Sequence, residues 1–71
     1  MVLWINNTFM KSIFVSVFID KINFMNRVRI DLKDGFDFPV ACIQAAVDLT
    51  NEVARENNVS LAVCDYKIEY K

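Results

Sequence analysis

The sequence predicts an α+β fold of ββαβ order, in which one helix covers one face of a three-stranded, mainly antiparallel sheet. Three observations predict it: side chains alternate with a period of two over residues 21–33, residues 11–19 are apolar on both faces, and helical spacing begins after the single proline, Pro39. A chain of 71 residues is long enough for one domain. We therefore expect residues 1–71 to form a single small α+β domain.

The first two strands form a hairpin. Residues 11–19 carry a one-sided apolar row (Ile13, Val15, Val17, Ile19) and an opposite row that includes two aromatic rings (Ser12, Phe14, Ser16, Phe18). Apolar side chains on both faces indicate a central strand. Asp20-Lys21 is the predicted hairpin connection. Residues 21–33 follow as a half-buried strand, with the clearest alternation over 27–33, and Asp34-Gly35 ends it as a turn.

The only predicted helix begins near Pro39, whose missing N–H costs nothing in a first turn. Phe38 is the expected N-cap, because a following proline disfavours the α region. Asn57-Asn58 supplies the C-terminal stop. The apolar stripe between these ends follows helical spacing and comprises Val40, Ile43, Ala46, Val47, Thr50, Val53 and Ala54.

The last strand is predicted at Val59–Cys64, where β-forming residues are frequent. Its apolar phase is odd up to position 63 and even from Tyr66, which indicates a bulge near Cys64-Asp65 or a strand that leaves the core. A right-handed crossover then gives the strand order second–first–third. Residues 2–5 add a fourth, edge strand in one interpretation, and residues 1–9 are an extension in the other.

The residue types present argue against catalysis. The chain has no histidine, one glycine (Gly35) and two cysteines, so it lacks the commonest general base, a phosphate-cradling loop and an ordinary zinc site. Cys42 and Cys64 are predicted to be small buried hydrophobes. We expect a protein that is not an enzyme, with no catalytic residue, cofactor, metal or small-molecule substrate.

The uncovered sheet face is the predicted partner-binding surface. It should carry Phe14 and Phe18 from the central strand beside Arg27 and Arg29 from its neighbour. The chain is 55% hydrophobic, above the usual share of about 45–50%, so this face is expected to pair with a second copy in a homodimer or with another protein. The alternative is RNA or single-stranded nucleic acid, because aromatics interleaved with arginines can stack bases and hold phosphates. An acidic pI of about 5.1 favours the protein partner.

The helix carries a second candidate docking surface. Asp48, Glu52 and Glu56 recur at every fourth residue and form an acidic stripe. Such a stripe suits a basic partner, and it also suits a face that is simply solvated, which is the commoner case, so both interpretations stay open. The apolar run at 13–19 is shorter than the roughly 20 residues of a membrane span, and we expect a cytoplasmic protein without a membrane partner.

The predicted layout resembles one known family. The succession of strand 11–19, strand 24–33, turn Lys33-Asp34-Gly35, single helix and the cysteine-bearing strand Val59–Cys64 is similar to the small antitoxin of T4-type phages that blocks a host toxin endoribonuclease. The likeness rests on layout and a few apolar positions, without a shared signature motif. It implies a phage protein that inhibits a host protein, and it transfers no functional residue to this chain.

Overall fold

A computed structural model describes residues 10–70 and confirms the ββαβ order. Strand β1 (Met10–Ile19) and strand β2 (Phe24–Lys33) form the hairpin, helix α1 (Phe38–Asn57) follows, and strand β3 (Asp65–Tyr70) ends the fold. The expected edge strand at residues 2–5 lies outside the described residues.

The sheet has the order β2-β1-β3, and both pairings are antiparallel. The central position predicted for the first strand is therefore confirmed. Its register places Ile13 opposite Ile30 of β2 and opposite Tyr70 of β3. Since directly opposed residues share a face, this register decides which side chains meet on each side of the sheet.

The core lies between α1 and one face of β1. Ile13, Val15, Val17 and Ile19 are fully buried there against helix residues that include Cys42, Ala46 and Val53. Burial of one such aliphatic side chain contributes about 1.5–3 kcal/mol relative to leaving it exposed. The four-residue row on β1 thus supplies much of the stability available to so small a domain.

The hairpin connection is longer than the predicted dipeptide Asp20-Lys21. A 3-10 turn spans Asp20–Ile22, and Asn23 then adopts the left-handed region at φ 53°, where its N–H donates to the Asp20 carbonyl at 3.0 Å. Asparagine tolerates this conformation better than most residues do. The second strand consequently begins at Phe24 rather than at residue 21.

The helix ends differ from the prediction at one terminus. Asp37, and not Phe38, is the N-cap, because the Asp37 carbonyl accepts the first helical bond from the Ala41 N–H at 2.8 Å. Pro39 stands in the first turn, as predicted. At the other end, Asn58 is left-handed at φ 60° and closes the helix, which confirms the predicted stop.

The third strand lies later than predicted. Residues 59–64 do not form it: the Val59 N–H donates to the Ala54 carbonyl as part of the helix end, and Leu61–Val63 is a 3-10 turn. The Ser60 side chain accepts from the Ala62 N–H at 3.2 Å, which favours this turn over an extended chain. Pairing with β1 starts at Asp65, so the phase change in the sequence marks the entry into the strand.

Candidate protein-interaction surfaces

The sheet face away from α1 is the surface that the sequence singled out. Phe14 and Phe18 lie on it and are half-buried, and Ser16 between them is only 4% exposed. Arg27 and Lys67 flank Ser16 in the sheet register, one on each neighbouring strand. Long side chains from β2 and β3 therefore cover the centre of this face and keep Ser16 from solvent.

Arg27 stacks on the predicted aromatic surface. Its guanidinium carbon lies 4.0 Å from the centroid of the Phe14 ring, and its Nε donates to Glu69 Oε1 at 3.0 Å. Glu69 is opposite Phe14 in the sheet, so the carboxylate holds the guanidinium over the ring. A cation over a ring contributes about 0.5–1 kcal/mol at exposed sites.

Arg29 is also engaged within the sheet. Its Nε donates to Asp31 Oδ1 at 3.2 Å and its Nη2 donates to Ser12 Oγ at 3.1 Å. The structure thus brings Phe14, Arg27 and Arg29 together on one sheet face, as the sequence predicted. Both arginines are, however, engaged in ion pairs with carboxylates of the same sheet. Met25, opposite Phe18, is the large apolar side chain that this face exposes most, at 58%.

The acidic stripe is exposed along α1. Asp48, Glu52 and Glu56 all lie in solvent, and Asp48 accepts from Gln44 Nε2 at 3.0 Å. At 100° of rotation per residue, the stripe lies about 100° or more around the helix axis from Val47. It is therefore a separate surface from the one described next.

An exposed apolar surface lies where α1 meets β3. Its side chains are between 37% and 63% exposed, and we call them the apolar flank: Ile43, Val47, Leu61, Tyr66 and Tyr70. Val40, at 69% exposure, continues the same helical row by one turn.

Packing between α1 and β3 holds the apolar flank in place. Val47, Leu61 and Tyr66 line a shallow hollow of about 160 Å³ together with Thr50 and Cys64. At the other end of the strand, the Tyr70 ring lies 6.4 Å from the Phe38 ring. Because Tyr70 is beside the start of the helix and Tyr66 beside its middle, the helix and strand run in opposite directions, with one apolar row on each.

Sequence reasoning missed this surface. Ile43 and Val47 were placed in the helix stripe that faces the core, and the last strand was placed too early for Tyr66 and Tyr70 to belong to it. A signal was nevertheless available, because seven apolar positions spread over more of the helix circumference than one narrow sheet can cover.

The described residues hold two cysteines and no cluster of metal-ligating side chains. Within residues 10–70, no three His, Cys, Asp or Glu side chains lie together in a way that could hold a metal ion. Cys42 and Cys64 are free thiols. Burial raises the pKa of the Cys42 thiol, against a smaller lowering by the charge of Lys11. The part of the chain described here also has no helix long and apolar enough to cross a membrane.

Comparison of the chain with models of protein families, with curated proteins and with solved structures finds no match.

Proposed function

We propose that this chain is a non-catalytic protein-interaction module and that the apolar flank is its binding surface. One observation carries the proposal: five large apolar side chains are exposed along the edge where α1 meets β3, and three of them, Val47, Leu61 and Tyr66, line one hollow. Contiguous exposed apolar surface on a small soluble domain marks an interaction site, because leaving it in water costs free energy.

The character of the apolar flank suits a protein partner. It combines two tyrosines with aliphatic side chains, and tyrosine is enriched at the centres of protein interfaces. The backbone edge of β3 lies directly beside it, so a partner can add hydrogen bonds to the apolar contact. Free thiols suit a reducing compartment, which agrees with a module that acts in the cytoplasm.

The alternative, nucleic-acid binding through the open sheet face, gains less support from the geometry. Arg27 and Arg29 each already pair with a carboxylate of the same sheet, at 3.0 and 3.2 Å. A phosphate would have to replace Glu69 and Asp31 as the partner of each arginine. Both carboxylates would remain on the same sheet face and would repel the phosphate. Phe14, under the Arg27 guanidinium, is also less accessible to a stacking base than an open ring.

The test compares two pairs of substitutions at similarly exposed apolar positions. Ile43→Gln/Val47→Gln alters the apolar flank, whereas Ile22→Gln/Met25→Gln makes a comparable apolar-to-polar change at the hairpin end and on the open sheet face. Light scattering reports self-association, and affinity capture from extracts of the native host reports other partners. A host toxin among the captured proteins would connect the module to the antitoxin layout.

We expect the first variant to lose association that the second retains. Binding that survives in the first variant and disappears in the second would overturn the assignment of the surface. A wild-type chain that neither self-associates nor captures any protein would overturn the proposed function itself.

A further inference from the structure

We propose that the partner is a second copy of this chain, joined by antiparallel pairing of the two β3 strands about a two-fold axis that passes through Ile68. This inference rests on the proposed function and names the occupant of the apolar flank. The resulting dimer has one continuous six-stranded sheet with both helices on the same face.

Among the described strands, β3 is an edge strand with its outer side unpaired. The sheet order is β2-β1-β3, so among residues 10–70 no strand lies on the outer side of β3. An edge strand presents unpaired N–H and C=O groups to a further strand. A closed two-fold contact needs a self-complementary surface, in which each residue meets a chemically suitable residue of the other copy.

Two-fold pairing that keeps both helices on one face allows two registers in which five of the six β3 residues are paired, with the axis at Lys67 or at Ile68. With the axis at Lys67, that lysine opposes its own copy. Asp65 then opposes Glu69. Both are like-charge contacts, which destabilise directly opposed strand positions.

The register centred on Ile68 replaces repulsion by attraction. Lys67 of each copy then opposes Glu69 of the other, which gives two opposite-charge pairs. Ile68 meets Ile68 at the axis, and Tyr66 meets Tyr70. Glu69 retains acceptor capacity for Arg27, since a carboxylate has about four lone-pair sites. Charge complementarity thus favours the register centred on Ile68. It also makes the β3 strand of a second copy a suitable partner for β3.

The same register closes the apolar flank. Strands in a sheet are about 4.8 Å apart, so two helices that each cover their own half sheet would lie roughly 10–15 Å from each other across the axis. The axes of directly packed helices are about 8–10 Å apart. The Ile43 and Val47 side chains of the two copies would fill the additional space between the two helices. The tyrosines of β3 are covered from both sides.

Among the described residues, β2 exposes one large apolar side chain, Met25, and not a row of them. On the helix side of β2, Phe24, Ile30 and Leu32 are partly buried against the domain's own core. Its opposite side carries Arg27 and Arg29, which are engaged in ion pairs. Pairing through β2 would leave the apolar flank in solvent, whereas pairing through β3 covers it.

The experiment uses charge reversal in the full chain, followed by sedimentation equilibrium. Lys67→Glu and Glu69→Lys each place like charges opposite one another twice in the dimer, and each is expected to weaken self-association by about tenfold or more. An equimolar mixture of the two variants is expected to recover it as a heterodimer, because each new charge then faces its opposite. Lys33→Glu, the same charge change at the end of β2, is the matched control and should leave association unchanged.

The outcomes separate this inference from the proposed function. Recovery in the mixture supports the β3 pairing. Self-association that is unchanged in both Lys67→Glu and Glu69→Lys overturns the β3 pairing. A monomer that captures another protein through the apolar flank overturns the inference and leaves the proposed function standing. The single tryptophan, Trp4, reports on residues 1–9. If the protein is a monomer in which Trp4 is shielded from acrylamide quenching, and Ile43→Gln/Val47→Gln removes that shielding, then residues 1–9 of the same chain cover the apolar flank. That result would overturn the proposal of a second copy.

Discussion

The fold's dependence on one face of β1 gives a direct prediction about Ile13. Its side chain is fully buried, whereas Ile22 in the hairpin turn is 47% exposed. Truncation of either isoleucine to alanine removes three carbon atoms, at roughly 0.8 kcal/mol for each buried one. At position 13 the cavity left behind adds to this cost, so we expect Ile13→Ala to lower the free energy of unfolding by about 3–4 kcal/mol.

Ile22→Ala is the matched control and should cost only about 1 kcal/mol, because roughly half of its surface is already in water and little cavity is left behind. The total stability expected for this length is about 4–10 kcal/mol, so Ile13→Ala removes a large part of it. Urea unfolding followed by far-UV circular dichroism, at one protein concentration for all variants, gives both values. Equal losses for the two substitutions would refute the placement of the core.

Three further predictions concern the thiols, the helix end and the charged sheet face. Cys64 should react with Ellman's reagent in the native dilute protein, while Cys42 reacts after denaturation, because burial blocks access and raises the pKa of its thiol; simultaneous reaction would contradict this. In thermal denaturation, Asn58→Gly should leave the free energy of unfolding unchanged, whereas Asn58→Ala should lower it by about 1 kcal/mol, because φ is 60° at this position; the reverse order would exclude the left-handed cap. A double-mutant cycle on Arg27→Ala and Glu69→Ala should give a coupling of about 0.2–1 kcal/mol that falls with added salt, as for other half-exposed pairs; a coupling insensitive to salt would contradict it.

The elements that sequence reasoning placed correctly are those with an unambiguous period. Alternation through β2 and the two-sided apolar character of β1 follow from the pleat, in which neighbouring side chains point to opposite faces. Pro39 and Asn58 mark the helix because each restricts or permits particular backbone angles. These signals are local, and the structure preserves them.

The last strand was misplaced because local propensity was overridden. Val59 and Val63 are β-formers, yet both pack against the core from turns that the helix end and Ser60 impose. Intrinsic β preference depends on having a partner strand at the right register, and that partner, β1, begins to pair only at Asp65.

The surfaces were harder to predict than the fold. The sequence showed that Phe14 and Arg27 share a face, but not that Glu69 would arrive from β3 to hold the guanidinium over the ring. Exposure of Ile43 likewise depends on how far a narrow sheet reaches beneath the helix. Both depend on contacts between residues distant in sequence, which periodicity does not reveal.

The position of the binding surface is tested most directly by backbone amide chemical shifts in a dilution series of the wild-type protein, from millimolar to micromolar concentration. We predict that the largest concentration-dependent shifts fall on Ile43, Val47 and Tyr66, with smaller shifts at Phe14 and Phe18. Shifts centred on Phe14 and Phe18 instead would show that the open sheet face associates and would contradict the assignment of the apolar flank.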